Sequence, residues 1–259
     1  MDDHLSAGRT ADVAISGLGK TYDGGVAAMA DVDLTIASGE FVAVVGASGC
    51  GKSTLLRILA GFERPSGGVV EVGGTPVTGP GPDRGVVFQD YGLFPWLSVR
   101  SNIAFGPRQR RMPRAEIGER VGRYLELVRL TEFADRYPGQ LSGGMQQRVA
   151  IARVLANDPA VLLMDEPFGA LDSLTRETLQ ANLLDIWTQV RSTVVFITHS
   201  VEEAVFLSNR VVVMSGGPNH GCPGYVAEVV PVDLPYPRDV TSPEFNDIKR
   251  HLSGVVRHG

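Results

Sequence analysis

The spacing of apolar residues changes period several times along the chain, and each change predicts an element. Val13 and Ile15, then Val32, Leu34 and Ile36, alternate with polar residues. That period of two predicts antiparallel strands with one face in water. Phe41 to Val45 is continuously apolar, the pattern of a strand buried on both faces. It runs into a glycine-rich turn and then a helix from Lys52 to about Ala60. Two more buried strands, Val161 to Met164 and Val194 to Thr198, flank a helical stretch from about Leu174 to Val190. Strand alternating with helix predicts an α/β fold, its sheet parallel and linked by crossover helices.

Between Gln89 and Pro159 the texture is different. Pro113 opens a segment with Ile117, Val121, Leu125 and Val128 at helical spacing, and a second helix runs from Gly143 to about Ala156. This stretch predicts a helical subdomain inserted into the α/β core. The tail after Gly216 is rich in proline and glycine, and only Tyr225 to Val230 reads as a strand. The division expected is one domain over 1–259. Within it the core spans 10–88 and 160–230, the helical subdomain 89–159 and the tail 231–259.

Composition narrows the class. The chain has 259 residues, 43% hydrophobic and 20% charged, the balance of a soluble globular protein. A net charge of −5 gives no electrostatic help to nucleic-acid binding, so no nucleic-acid partner is expected. No apolar run approaches the roughly 20 residues of a membrane-spanning helix, so membrane contact must go through a partner. The start, Met1-Asp2-Asp3-His4, is acidic where a secretory signal would be basic, and an intracellular protein is expected. Cys50 and Cys222 form no metal-spacing pattern.

Gly46-Ala47-Ser48-Gly49-Cys50-Gly51-Lys52-Ser53-Thr54 fits the phosphate-loop pattern G-x-x-x-x-G-K-[ST]. Its glycines let backbone N–H groups turn inward as an anion nest, and the following helix points its positive end at the phosphates. Lys52 adds a mobile cation for the β- and γ-phosphates, and Ser53 offers a hydroxyl to Mg²⁺. The motif follows a buried strand and opens a helix, which is the context it requires. Cys50, near that helix N-terminus, is expected to be a reactive thiol whose alkylation blocks hydrolysis unless ATP is bound.

Val161-Leu162-Leu163-Met164-Asp165-Glu166 is a buried strand ending in two acids. One can hold Mg²⁺ through water while the other polarises an attacking water. Further along, Leu141-Ser142-Gly143-Gly144-Met145-Gln146-Gln147-Arg148 precedes a helix. Ser142 is placed as its N-cap, and Gly143 and Gly144 leave its N–H groups open as a second anion site.

With these residues in order, the chain resembles the nucleotide-binding subunits of ABC transporters over nearly its whole length. Tyr22 resembles the aromatic residue that stacks on adenine, and Gly46 to Thr54 the Walker A loop. Gln89 looks like the glutamine loop, Leu141 to Gln147 the signature, and Leu163 to Glu166 the Walker B acids. Ala170-Leu171-Asp172 resembles the D-loop and His199 the switch histidine. The resemblance implies a P-loop NTPase fold with a mixed sheet, an N-terminal antiparallel β subdomain and the inserted helical subdomain. It implies a homodimer in which each ATP lies between one subunit's Walker A loop and the other's signature. Glu166 would be the general base, Asp165, Ser53 and Gln89 would hold Mg²⁺, and His199 would contact the γ-phosphate.

Leu93-Phe94-Pro95-Trp96-Leu97-Ser98-Val99 and the tail Leu234-Pro235-Tyr236-Pro237-Arg238-Asp239 are similar to the nitrate, sulfonate and taurine importer branch. That branch implies a peripheral ATPase on the cytoplasmic face of the inner membrane. Its partners would be a transmembrane permease and, indirectly, a periplasmic or lipid-anchored solute-binding protein. Phe94 and Trp96 fall where the permease docks in the family. The chain departs from the branch at Gly216 to Gly224, where a shorter turn is usual. The rival reading is a soluble ABC ATPase outside transport, or a subunit serving another solute. A P-loop kinase or GTPase would leave Ser142 to Gln147 unexplained.

Overall fold

The structure is a computed structural model, and it describes residues 9–169 and 171–258. The reading of Met1 to His4 and that of Ala170 fall outside the described residues. Chain order begins β1 (Val13–Tyr22), β2 (Val26–Ile36), β3 (Phe41–Gly46), α1 (Lys52–Leu59), β4 (Gly67–Val72), β5 (Thr75–Pro76) and β6 (Arg84–Val87). The helical stretch follows as α2 (Val99–Ile103), α3 (Phe105–Gln109), α4 (Arg114–Leu127) and α5 (Gly143–Leu155). The chain then returns through β7 (Val161–Asp165), α6 (Ser173–Val190), β8 (Thr193–Ile197) and α7 (Val201–Leu207). It closes with β9 (Arg210–Gly217), β10 (Cys222–Pro231) and α8 (Pro243–His258).

The strands form one mixed sheet in the order β5-β4-β1-β2-β10-β9-β3-β8-β7-β6. Its β9-β3-β8-β7-β6 half is parallel, as the continuously apolar runs predict. The other half is the antiparallel β1, β2, β4 and β5 set, joined through β10 where Gly224 lies opposite Met29.

Pleating of the parallel strands builds a core on each face. Phe41, Ala43 and Val45 join Leu162, Met164, Phe196 and the helices α2, α4, α5, α6, α7 and α8. Val42 and Val44 face the other way, with Leu163, Val195, Val212, the apolar side of α1 and the antiparallel strands. The inserted helices therefore pack on the face opposite α1.

The tail differs from its sequence reading. Pro243–His258 is a sixteen-residue helix, and Phe245 and Leu252 are fully buried in the larger core, with Ile248, Val255 and Val256 against it. Helix α8 therefore packs its apolar face on the core. The link to α8 is strapped down by polar groups. Buried Arg238 donates to the carbonyls of Val205, Ser208 (2.7 Å) and Val232 (2.9 Å), and Tyr236 Oη donates to that of Leu207 (2.8 Å). Three of these acceptors, Val205, Leu207 and Ser208, are carbonyls at the end of α7, which a helix leaves unpaired; a guanidinium suits their negative end.

Candidate functional site

The phosphate loop leaves β3 at Gly46 and turns into α1 at Lys52. A side chain at Gly46 would begin 2.2 Å from the Met214 carbonyl oxygen of β9, so the loop starts where only glycine fits. Lys52 is buried, its ammonium donating to the carbonyls of Gly46 (2.8 Å) and Ala47 (2.9 Å). Those bonds hold the cation over the loop's concavity while Ser48, Gly49 and Ser53 stay exposed. Above them is a cleft of about 280 Å³ lined by Tyr22, Ser48, Gly49, Gly51 to Thr54, Glu166 and His199. Tyr22 ends β1 and reaches Thr54 through its hydroxyl (3.3 Å), with the Lys20 ammonium 4.8 Å from its ring centre. The cleft thus gathers an aromatic ring, a lysine cation, a carboxylate and an imidazole, groups of the kinds a nucleotide site uses.

Glu166 follows β7 and His199 lies two residues beyond β8, so neighbouring parallel strands deliver them to one edge. That edge is the usual ligand position of an open α/β sheet. His199 Nε2 is 2.6 Å from Glu166 Oε1, and Glu166 adopts a left-handed backbone at φ 46°. For a residue with a side chain that conformation is uncommon and accompanies strained functional positions. Asp165 precedes it, half-buried. Burial and the neighbouring Glu166 push its carboxyl up, while Arg57, Lys52 and His199 pull it down. Gln89 is placed differently. It lines a second cavity behind Glu166 and His199, with Arg176, Thr198 and Glu203, and not the cleft holding Ser53.

Ser142 caps α5, accepting from the Met145 N–H at 3.3 Å. It lines a separate cavity with Arg129, Gly144, Arg148 and Thr175. Gly144 is buried against α6, where an added Cβ would lie 2.9 Å from Thr175 Cγ2. Within one chain the phosphate loop and the Ser142-capped helix start thus open into different cavities. Asp172 caps α6 through the Thr175 N–H at 3.0 Å.

Cys50 is a correction. Its side chain is fully buried in the core beneath the loop, with Sγ 3.8 Å from the Lys52 ammonium. Only its backbone belongs to the anion nest, and the expected reactive thiol is sealed from reagents. The exposed cysteine is Cys222.

Sequence reasoning missed two features of the edge. Glu203 of α7 is buried, accepts from Thr198 Oγ1 and faces Arg176 at 3.6 Å. Burial pushes its carboxyl up, against the pull of Thr198 and Arg176. An acid two residues into a helix reads as a dipole-matched surface charge, so only the fold reveals its burial. Pro218, from the turn between β9 and β10, lines the nucleotide-shaped cleft.

Comparison with known proteins agrees with this geometry. The ABC transporter family profile matches residues 29–169. An ATP-binding protein of Brucella abortus is 55% identical over 238 residues, covering 91% of this chain and 90% of its own length. The nitrate import ATP-binding protein of Synechocystis is 48% identical, with 90% of each chain covered. The taurine import ATP-binding protein of Jannaschia is 45% identical, covering 94% of this chain and 93% of its own. A dimeric ATP-binding cassette bound to ADP and phosphate superposes with a TM-score of 0.72 at 33% identity, covering 86% of this chain and 99% of that one. Phosphate loop, paired acids, the Ser142-capped helix and these likenesses together make the chain a member of the ABC transporter family, an ATP-hydrolysing cassette similar to nitrate and taurine import ATP-binding proteins.

Proposed function

We propose that this chain is the ATP-binding and ATP-hydrolysing subunit of an importer for a small anion of the nitrate, sulfonate or taurine kind. It works as a two-fold dimer on the cytoplasmic side of a transmembrane permease supplied by a solute-binding protein. The observation that carries the reading is the convergence of Tyr22, Ser48, Gly49, Gly51 to Thr54, Glu166 and His199 on one cleft, with Ser142 opening into another. Two half-sites on one chain can be completed only by a second chain, which is the logic of a shared-ATP dimer.

In this reading Tyr22 stacks on adenine, the N–H groups of Gly49 to Ser53 hold the α- and β-phosphates, and Lys52 leaves the loop carbonyls to meet the γ-phosphate. Glu166 takes the proton of the water that attacks the γ-phosphorus as the bond to ADP breaks. The 2.6 Å contact with His199 fixes one carboxylate oxygen and leaves the other for that water. Gly143, Gly144 and the Ser142 hydroxyl complete the partner's γ-phosphate site. The exposed Ser53 hydroxyl and the Asp165 carboxyl are hard oxygen donors suited to Mg²⁺, which would neutralise charge on the phosphates. Gln89, in the adjoining cavity that shares Glu166 and His199 with the cleft, would be the further ligand of that ion.

Permease docking is supported by an apolar surface on the loop that carries Gln89. Trp96 is 70% exposed beside Phe94, and Phe62 stacks on Phe88 with ring centres 6.2 Å apart. Exposed aromatics of this kind anchor helices at interfaces. The deciding experiment reconstitutes the chain with its permease and binding protein in vesicles and measures ATP-driven uptake of nitrate, taurine and alkanesulfonates. ATP hydrolysis without uptake of any of the three would remove the anion assignment, and uptake independent of ATP would remove the coupling.

A further inference from the structure

The segment from Gly216 to Gly224, which joins the end of β9 to the start of β10, is wedged between the phosphate loop and β2. A side chain at Gly217 would begin 2.3 Å from the Gly49 carbonyl oxygen, and one at Gly224 would begin 2.0 Å from that of Cys50. Backbone therefore lies directly on backbone, and both positions must stay glycine. Between them the short turn Pro218–His220 packs against β2, β9 and β10. Pro218 lines the same cleft as Tyr22, Val26, Gly49 and Lys52. The Asn219 amide nitrogen is 3.2 Å from where a Gly49 side chain would start, and among the described residues the side chain makes no hydrogen bond. Pro218 and Asn219 are both exposed, so neither is held there by burial.

We propose that this turn is an added wall of the nucleotide site, with Pro218 closing the cleft beside Gly49 and the Asn219 amide donating to the phosphates of a bound nucleoside triphosphate. The inference rests on the reading that ATP occupies the cleft over Gly46 to Thr54. It gives this chain a contact outside the motifs of its family. Proline suits the wall because its fixed φ holds the turn without a ligand. An amide suits the phosphates because it donates without adding charge.

The test is equilibrium binding of the non-hydrolysable triphosphate AMP-PNP with Mg²⁺, measured calorimetrically. Pro218→Gly combined with Asn219→Ala should weaken binding about 3- to 10-fold, the range of one net hydrogen bond and some lost contact. In ATPase assays the loss should appear mainly in KM. Asn219→Asp provides a readout that a purely structural turn would not move. Its carboxylate would repel the phosphates, so it should bind more weakly than Asn219→Ala, and the gap should narrow as salt rises. Wild-type affinity in the double variant would overturn the proposal, as would equal affinities of the Ala and Asp variants at every salt concentration. Lys52→Ala separates this failure from the larger one. If it loses AMP-PNP while the turn variants do not, only the wall is wrong; if it binds normally, the phosphate-loop site itself is wrong.

Discussion

His199 Nε2 sits 2.6 Å from Glu166 Oε1, joining the residues that follow two neighbouring parallel strands. The pair is held by the sheet itself, since Asp165 lies in register with Ile197. The imidazole therefore aims a carboxylate that already lines the cleft.

Glu166→Gln keeps the side chain's size but removes its ability to accept a proton from water. Lys52, Ser53 and Asp165 are untouched, so MgATP binding should survive. Hydrolysis should fall by about 10²-fold or more, the range for loss of a general base. Uncleaved ATP should then accumulate a dimer, read by size-exclusion chromatography with light scattering. Normal turnover in this variant would take Glu166 out of the mechanism.

Native protein treated with a small alkylating reagent should be modified at Cys222 and not at Cys50, as read by peptide mass spectrometry. Cys50 is fully buried and Cys222 exposed, and a thiol must be reached to react. Hydrolysis should survive treatment in a Cys222→Ser variant. Labelling of Cys50 at a comparable rate would mean that the phosphate loop opens far enough to expose its underside.

Trp96→Ala should leave ATP turnover of the isolated chain near wild type while weakening retention of the permease. Trp96 is 70% exposed and contributes little to folding, whereas Phe94 packs on Phe105 with ring centres 4.4 Å apart. The single change therefore separates docking from stability better than altering both aromatics. Normal co-purification and uptake would place the permease contact elsewhere.

Phe245→Ala should destabilise the fold by about 3–5 kcal/mol, the cost of emptying a fully buried aromatic position. Chemical denaturation with an unchanged m-value would show it. A loss below about 1 kcal/mol would mean that α8 does not share the core's cooperative unfolding.

The sequence by itself determined the buried strands β3, β7 and β8, the helices α1, α4, α5 and α6, and the phosphate-loop motif. Phe41 to Val45 and Val161 to Met164 are apolar without interruption because both their faces are covered. The phosphate loop is legible because an anion nest demands its glycines at fixed spacing. Ser142 is legible because a helix N-terminus needs an acceptor. Helix α8 was obscured by the proline-rich stretch before it, since its Phe245 and Leu252 show their purpose only against the core they fill. Which way Cys50 points was decided by the fold, because a loop residue can face either solvent or core. Long-range packing also decided that Gln89 stands behind the Glu166–His199 pair and that Glu203 is buried. The same holds for Pro218, which reaches the cleft because β9 is paired with β3 and brings the turn after it onto Gly49. Local sequence fixes an element's period and its caps, while the meeting of residues far apart in the chain depends on strand order, which no local pattern encodes.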